Sequence, residues 1–154
     1  MGTIDIIYIK SAHNRKEIMV RFIFASHYNM AEGLKNTISF LTSTDKCLYD
    51  ISAYMSEKYD IEKEIESLLD TFDKDDKVVI MTDVLAGSVN QKFIPYIGNN
   101  IFLITGINVP LALELVLTPE DNIDTEHLKN SVMSARETIL FVNEMPLNID
   151  EEDE

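Results

Sequence analysis

His27 follows the apolar run Val20 to Ala25 and sits inside a short polar turn, Ser26-His27-Tyr28-Asn29. A second apolar run, Val78 to Met81, leads into Thr82-Asp83-Val84-Leu85-Ala86-Gly87-Ser88. An imidazole and a carboxylate at neighbouring strand ends have a defined chemistry open to them. The carboxylate accepts a hydrogen bond from one ring nitrogen, which fixes the tautomer and leaves a lone pair on the other. A neutral imidazole held this way is a competent nucleophile toward phosphorus. A phosphoryl group on that nitrogen needs donors. Backbone N–H groups around Gly87 and the Ser88 hydroxyl, where the next helix opens, are placed to supply them. Plainer readings exist for each residue: His27 as a surface turn histidine, Asp83 as an ordinary turn carboxylate, Ser88 as an N-cap. The pairing of His27 with Asp83 weighs against them. The other histidines lack such a partner: His13 lies in a polar lead-in, and His127 opens the last helix, where exposure is expected.

Other chemistries find no support. The sequence has no G-x-x-x-x-G-K-[ST] loop, no G-x-G-x-x-G after a strand and no G-x-S-x-G elbow, so nucleotide-driven, dinucleotide and serine-hydrolase readings fail. No His/Cys cluster has metal-ligand spacing, so no metal and no cofactor are expected. The single cysteine, Cys47, can form no internal disulfide and is expected as a small core residue in a strand. A formal net charge of −14 argues against nucleic acid and against anionic membrane surfaces. No apolar run approaches the roughly 18 residues of a membrane span, and no secretion signal is recognisable, so a cytoplasmic location is expected.

The elements that would position the site follow from periodicity. After the His27 turn, Ala31, Leu34, Ile38 and Leu41 share one face of a helix. Cys47 to Ile51 reads as a weaker strand. Ile61, Ile65, Leu68 and Phe72 mark a helix with Asp60 as its N-cap. A short helix from Val89 to Tyr96 follows the Asp83 loop. Ile101 to Thr105 reads as a strand, and Pro110 suits the first turn of a helix through Leu113 and Leu117. A last helix runs from about Thr125 to Glu137, and Ile139 to Val142 reads as a final strand. Strands alternating with helices predict an α/β fold with a mainly parallel central sheet and helices on both faces. Ligands of such sheets sit at the carboxyl ends of the strands, which puts His27 and Asp83 on one rim. Residues 19–145 read as one domain. Residues 1–18 read as an extension, with an edge strand possible over Thr3 to Ile9 and a natural start at Met19, and residues 146–154 as a solvated acidic tail.

Three segments in this order resemble the enzyme IIA component of the mannose/fructose/sorbose-type sugar phosphotransferase system. Phe22-Ile23-Phe24-Ala25-Ser26-His27, followed by Met30-Ala31-Glu32-Gly33-Leu34, is similar to the family's phosphorylation segment. Val79-Ile80-Met81-Thr82-Asp83-Val84-Leu85-Ala86-Gly87-Ser88, with Asn90 after it, is similar to the family's strand, Asp and Gly-Gly-Ser loop. Gly106-Ile107-Asn108-Val109-Pro110 is similar to its Gly-Val-Asn-hydrophobic-Pro turn. Two departures stand out: Ala86 replaces the first of two glycines, and Val89 replaces a proline that often follows the serine.

The resemblance implies a phosphotransferase working through a phosphohistidine on His27 Nε2, with Asp83 bonded to the ring and the Ser88 loop bordering the phosphate. It implies HPr as donor, a IIB protein or domain as acceptor, and indirect service to membrane IIC and IID components. It also implies a homodimer that exchanges its final antiparallel strand, here Ile139 to Val142. Two rivals on the same fold are a phosphocarrier for dihydroxyacetone kinase, whose Gly-Gly loop ahead of a Gly-Thr-Ser segment is not found here, and a regulatory module that senses rather than relays.

Overall fold

The computed structural model describes residues 18–44 and 47–145. The expected edge strand over Thr3 to Ile9, His13 and the acidic tail lie outside these residues. The described chain divides after Ile107 into two compact units.

The first unit is built on four parallel strands: β1 (Val20–His27), β2 (Leu48–Ala53), β3 (Lys77–Thr82) and β4 (Ile101–Thr105). Their order is β2-β1-β3-β4. β1 and β3 are therefore both central and adjacent, and they are the two nearly continuous apolar runs of the sequence. Burial on both faces explains that composition. Ile23 and Ala25 of β1, Ile51 and Ala53 of β2, and Val78 and Ile80 of β3 form one core layer. That layer packs with Ile61 and Ile65 of α2 (Ile61–Leu69) and with Val89 and Phe93 of α3 (Ser88–Phe93). Residues of the opposite parity, Phe22, Phe24, Val79 and Met81, are buried too. Helix α1 (Met30–Thr42) packs on β1 and β2 and buries Ala31, Leu34 and Ile38. Helices thus lie on both faces of the sheet within this unit. Asp60 caps α2 as expected, accepting from the Lys63 N–H at 3.1 Å.

The second unit pairs α4 (Val109–Leu117) with α5 (Thr125–Arg136). Asn108 caps α4 by accepting from the Leu111 N–H at 2.9 Å, with Pro110 in the first turn. Asp124 caps α5 in the same way at 2.8 Å. No helix among the described residues is long and apolar enough to cross a membrane.

Four expectations are corrected. Cys47 is not in a strand: it sits half-buried in the turn before β2 at φ 63°. The helix after the Asp83 loop opens one residue early, at Ser88, and tightens into a 3-10 turn over Ile94–Tyr96, where Pro95 has no N–H to continue the ladder. His127 is half-buried, its Nε2 3.1 Å from Thr118 Oγ1. Ile139 to Val142 is not a strand in the single chain. Residues 139–141 have no regular structure, and a 3-10 turn follows at Val142–Glu144. The side chains of this run stand exposed, Ile139 at 80%.

Candidate phosphoryl-acceptor site

His27 is the last residue of β1, and Asp83 directly follows β3. Because β1 and β3 are hydrogen-bonded neighbours with Ala25 opposite Thr82, the two side chains emerge side by side on the carboxyl rim. Asp83 Oδ2 accepts from the His27 backbone N–H and from the His27 ring at Nδ1, each at 2.8 Å. Its other oxygen, Oδ1, accepts from the Val84 N–H at 2.8 Å. Burial by itself pushes the Asp83 carboxyl up, but the His27 backbone N–H, the His27 ring and the Val84 N–H together outweigh it and hold the group below the usual carboxylate range.

A carboxylate only accepts, so Nδ1 must carry the proton. In the neutral ring Nε2 then holds the lone pair. Ser88 Oγ lies 3.1 Å from Nε2 and must donate to it. The Tyr54 hydroxyl in turn donates to Ser88 Oγ at 2.9 Å. The imidazole is thus gripped by an acid on one nitrogen and a hydroxyl on the other. The His27 side chain remains 44% exposed, while Asp83 is only 9% exposed. The imidazole is thus partly open to solvent while the acid that orients it is sheltered.

Local structure explains how these groups are held. The Ser26 hydroxyl accepts from the Ala31 N–H at 2.7 Å, tying the end of β1 to the start of α1. Buried Asn90 donates to Thr82 Oγ1 at 3.0 Å, which fixes α3, and so Ser88, against β3. The loop between them is a tight turn closed by Gly87 N–H to Val84 O at 3.2 Å, with Ala86 at φ 59°. That conformation at the third position of a turn favours glycine, and an L-residue there costs about 1 kcal/mol. Gly87 itself abuts the ring: a Cβ there would lie 3.2 Å from His27 Cε1. Its N–H donates to Val84 O within the turn, and the first-turn N–H groups of α3 have no intrahelical acceptor.

Tyr54 was missed by the sequence reading. It follows β2, whose Ala53 is opposite His27, so the strand-end rule would have placed it on the same rim. Three of the four strand ends break into the left-handed region immediately: Tyr28 at φ 54°, Tyr54 at φ 65° and Gly106 at φ 80°. Among the described residues no group of three His, Cys, Asp or Glu side chains is arranged to hold a metal.

Residues 21–133 match the family model described as the fructose IIA component of the phosphotransferase system (PTS). A solved structure from Klebsiella pneumoniae subsp. pneumoniae, a candidate phosphoenolpyruvate-dependent sugar PTS permease, is 27% identical; the match covers 84% of this chain and 96% of that one, with a TM-score of 0.78. The PTS IIA protein associated with the fucose utilization operon of Streptococcus pneumoniae is 21% identical over 84% of this chain and 97% of its own, at TM-score 0.71. The mannose/sorbose specific IIA subunit from Enterococcus faecalis is 16% identical over 84% and 98%, at TM-score 0.69. The last two likenesses speak to the fold alone. No curated protein sequence matches the chain.

Proposed function

The chain belongs to the EIIA-man family, the IIA components of mannose- and fructose-type sugar phosphotransferase systems, and from that premise we propose that His27 is the residue that carries the phosphoryl group. Phospho-HPr is the donor and a IIB protein or domain the acceptor. The observation that carries this reading is the geometry of one ring: Nδ1 held by Asp83 at 2.8 Å, and Nε2 beside a hydroxyl, on a side chain that is 44% exposed.

The step balances on these groups. The Nε2 lone pair forms a bond to phosphorus as the donor's N–P bond breaks, and that electron pair returns to the donor's imidazole. No proton leaves Nδ1, so the His27 ring gains positive charge, which the Asp83 carboxylate offsets. The Ser88 hydroxyl loses Nε2 as an acceptor and turns to an incoming phosphoryl oxygen. Rate comes from in-line positioning and from placed donors around a loose transition state. Return of the group to the IIB acceptor reverses the same movements.

Docking is supported by Tyr28, Val84 and Leu85, apolar side chains that are exposed beside the site residues in the chain. The exposed run at 139–142 supports a homodimer in which this segment pairs with a second copy. The location proposed is the cytoplasm, with membrane IIC and IID components served indirectly. The test is labelling by 32P-phospho-HPr. Wild type should take up one phosphoryl group per chain and yield it to IIB, and His27→Ala should take up none while keeping its circular dichroism spectrum. A His27→Ala protein that still becomes labelled would assign the chemistry elsewhere.

A further inference from the structure

Tyr54 delivers a phenol to the site from a third strand. Its backbone adopts a left-handed conformation at φ 65° directly after β2, and its ring centroid lies 5.7 Å from that of His27. The ring is braced from behind. Tyr59 meets it edge-on at 6.1 Å, and Tyr59 packs on the core layer that holds Ile23 and Ile51. A braced ring fixes where the hydroxyl points, and it points at Ser88 Oγ, 2.9 Å away.

A serine hydroxyl has one proton and two lone pairs, and on its own it rotates freely. Donation from Tyr54 occupies one lone pair. The serine proton is then directed away from the phenol, toward Nε2 at 3.1 Å in the unloaded site. A hydroxyl that is itself accepting a hydrogen bond is also a stronger donor, because the chain polarises along its length. The loaded site needs such a donor, since negative phosphoryl oxygens arrive where Nε2 offered a lone pair.

We propose that Tyr54 is a positioning residue for phosphoryl transfer: acting through Ser88, its phenol orients and strengthens the hydroxyl that receives the phosphoryl oxygens on His27 Nε2. This rests on His27 being the acceptor. Tyr54 never touches phosphorus. Its contribution depends on Ser88 being present, and that dependence separates an oriented relay from mere packing.

The experiment is a double-mutant cycle on the full chain, with phospho-HPr as donor and transfer rates measured by rapid quench. Tyr54→Phe keeps the ring and its contact with Tyr59, so it should melt like wild type. Its maximal transfer rate should fall about three- to tenfold, the loss of one hydrogen bond, with the half-saturating phospho-HPr concentration unchanged. Ser88→Ala should slow transfer at least as much. The double variant should transfer at the Ser88→Ala rate, because without the serine the phenol has nothing to act through. A Tyr54→Phe protein with an unaltered maximal rate overturns the proposal. So does an equal loss in the wild-type and Ser88→Ala backgrounds, which would mean that the phenol acts without the serine. A wild-type chain that takes up no phosphate at all is a different result: it removes the carrier reading, and the relay with it.

Discussion

The central sheet has a basic side chain paired with an aspartate at each end, and both pairs join β1 to the approaches of β3. At the amino end, Arg21 Nε donates to Asp76 Oδ2 at 2.9 Å. Met19 N–H and Asp73 N–H also donate to Asp76, at 3.1 and 3.3 Å. At the carboxyl end, His27 and Asp83 repeat the arrangement, again with two backbone N–H groups on the acid. In both aspartates burial pushes the carboxyl up and the assembled donors bring it below its ordinary range. The difference lies in the basic partner. Arg21 is permanently charged and is locked by further contacts to Tyr49 and across the Phe72 ring. His27 keeps a second nitrogen with a lone pair, on a side chain far more exposed than that of Arg21. The same acid can therefore act as a rivet or as an orienting hand, depending on whether its partner has a free lone pair.

Substituting each aspartate should separate the two roles. Asp76→Asn should cause the larger loss of stability, about 3 kcal/mol by urea unfolding, because it strips a 2% exposed acid from its cation and leaves buried donors facing an amide. The sign with pH follows from the lowered carboxyl. The stability Asp76 contributes is present above its unfolded pKa, about 4, and is lost as pH falls through the lower folded value. Wild type and Asp76→Asn should thus converge below about pH 4. Asp83→Asn should lose only about 1 kcal/mol of stability but slow transfer about a hundredfold. Both Asp83 oxygens accept from N–H groups, so one amide flip sets the NH2 against the His27 N–H groups and releases the ring, and the other sets it against the Val84 N–H and loosens the turn. Equal stability losses with unchanged transfer in Asp83→Asn would erase the contrast.

The sequence made one end of this comparison far more legible than the other. Continuous apolar runs identify β1 and β3 because strands covered on both faces need them, and that alone puts His27 and Asp83 on one rim. Asp60 is readable as a cap because a cap depends on residues within four of itself. Asp76 gave no signal as the partner of Arg21, since nothing local distinguishes it among the acids around it. Tyr54 was hidden for a related reason. β2 is half-polar, its place beside β1 is a matter of sheet order, and the direction of the phenol depends on a left-handed backbone at a residue type that seldom adopts one. Cys47 and His127 were misplaced by the same blindness to turns and to contacts between elements.

The smallest expected effect bears on the strain at the carboxyl rim. Ala86 holds φ 59° in the turn that delivers Gly87 and Ser88 to the imidazole. The conformation costs an alanine about 1 kcal/mol that glycine does not incur, while glycine adds less than that in unfolded-chain entropy. Ala86→Gly should therefore stabilise the protein by a few tenths of a kcal/mol, about 0.5 at most. The turn is already closed by Gly87 N–H on Val84 O, so the transfer rate should stay within about twofold of wild type. A loss of stability in Ala86→Gly would mean that the alanine methyl makes a contact worth more than the strain it carries. A large change in rate at constant stability would mean that the stiffness of this turn, and not its shape alone, keeps Ser88 within reach of Nε2.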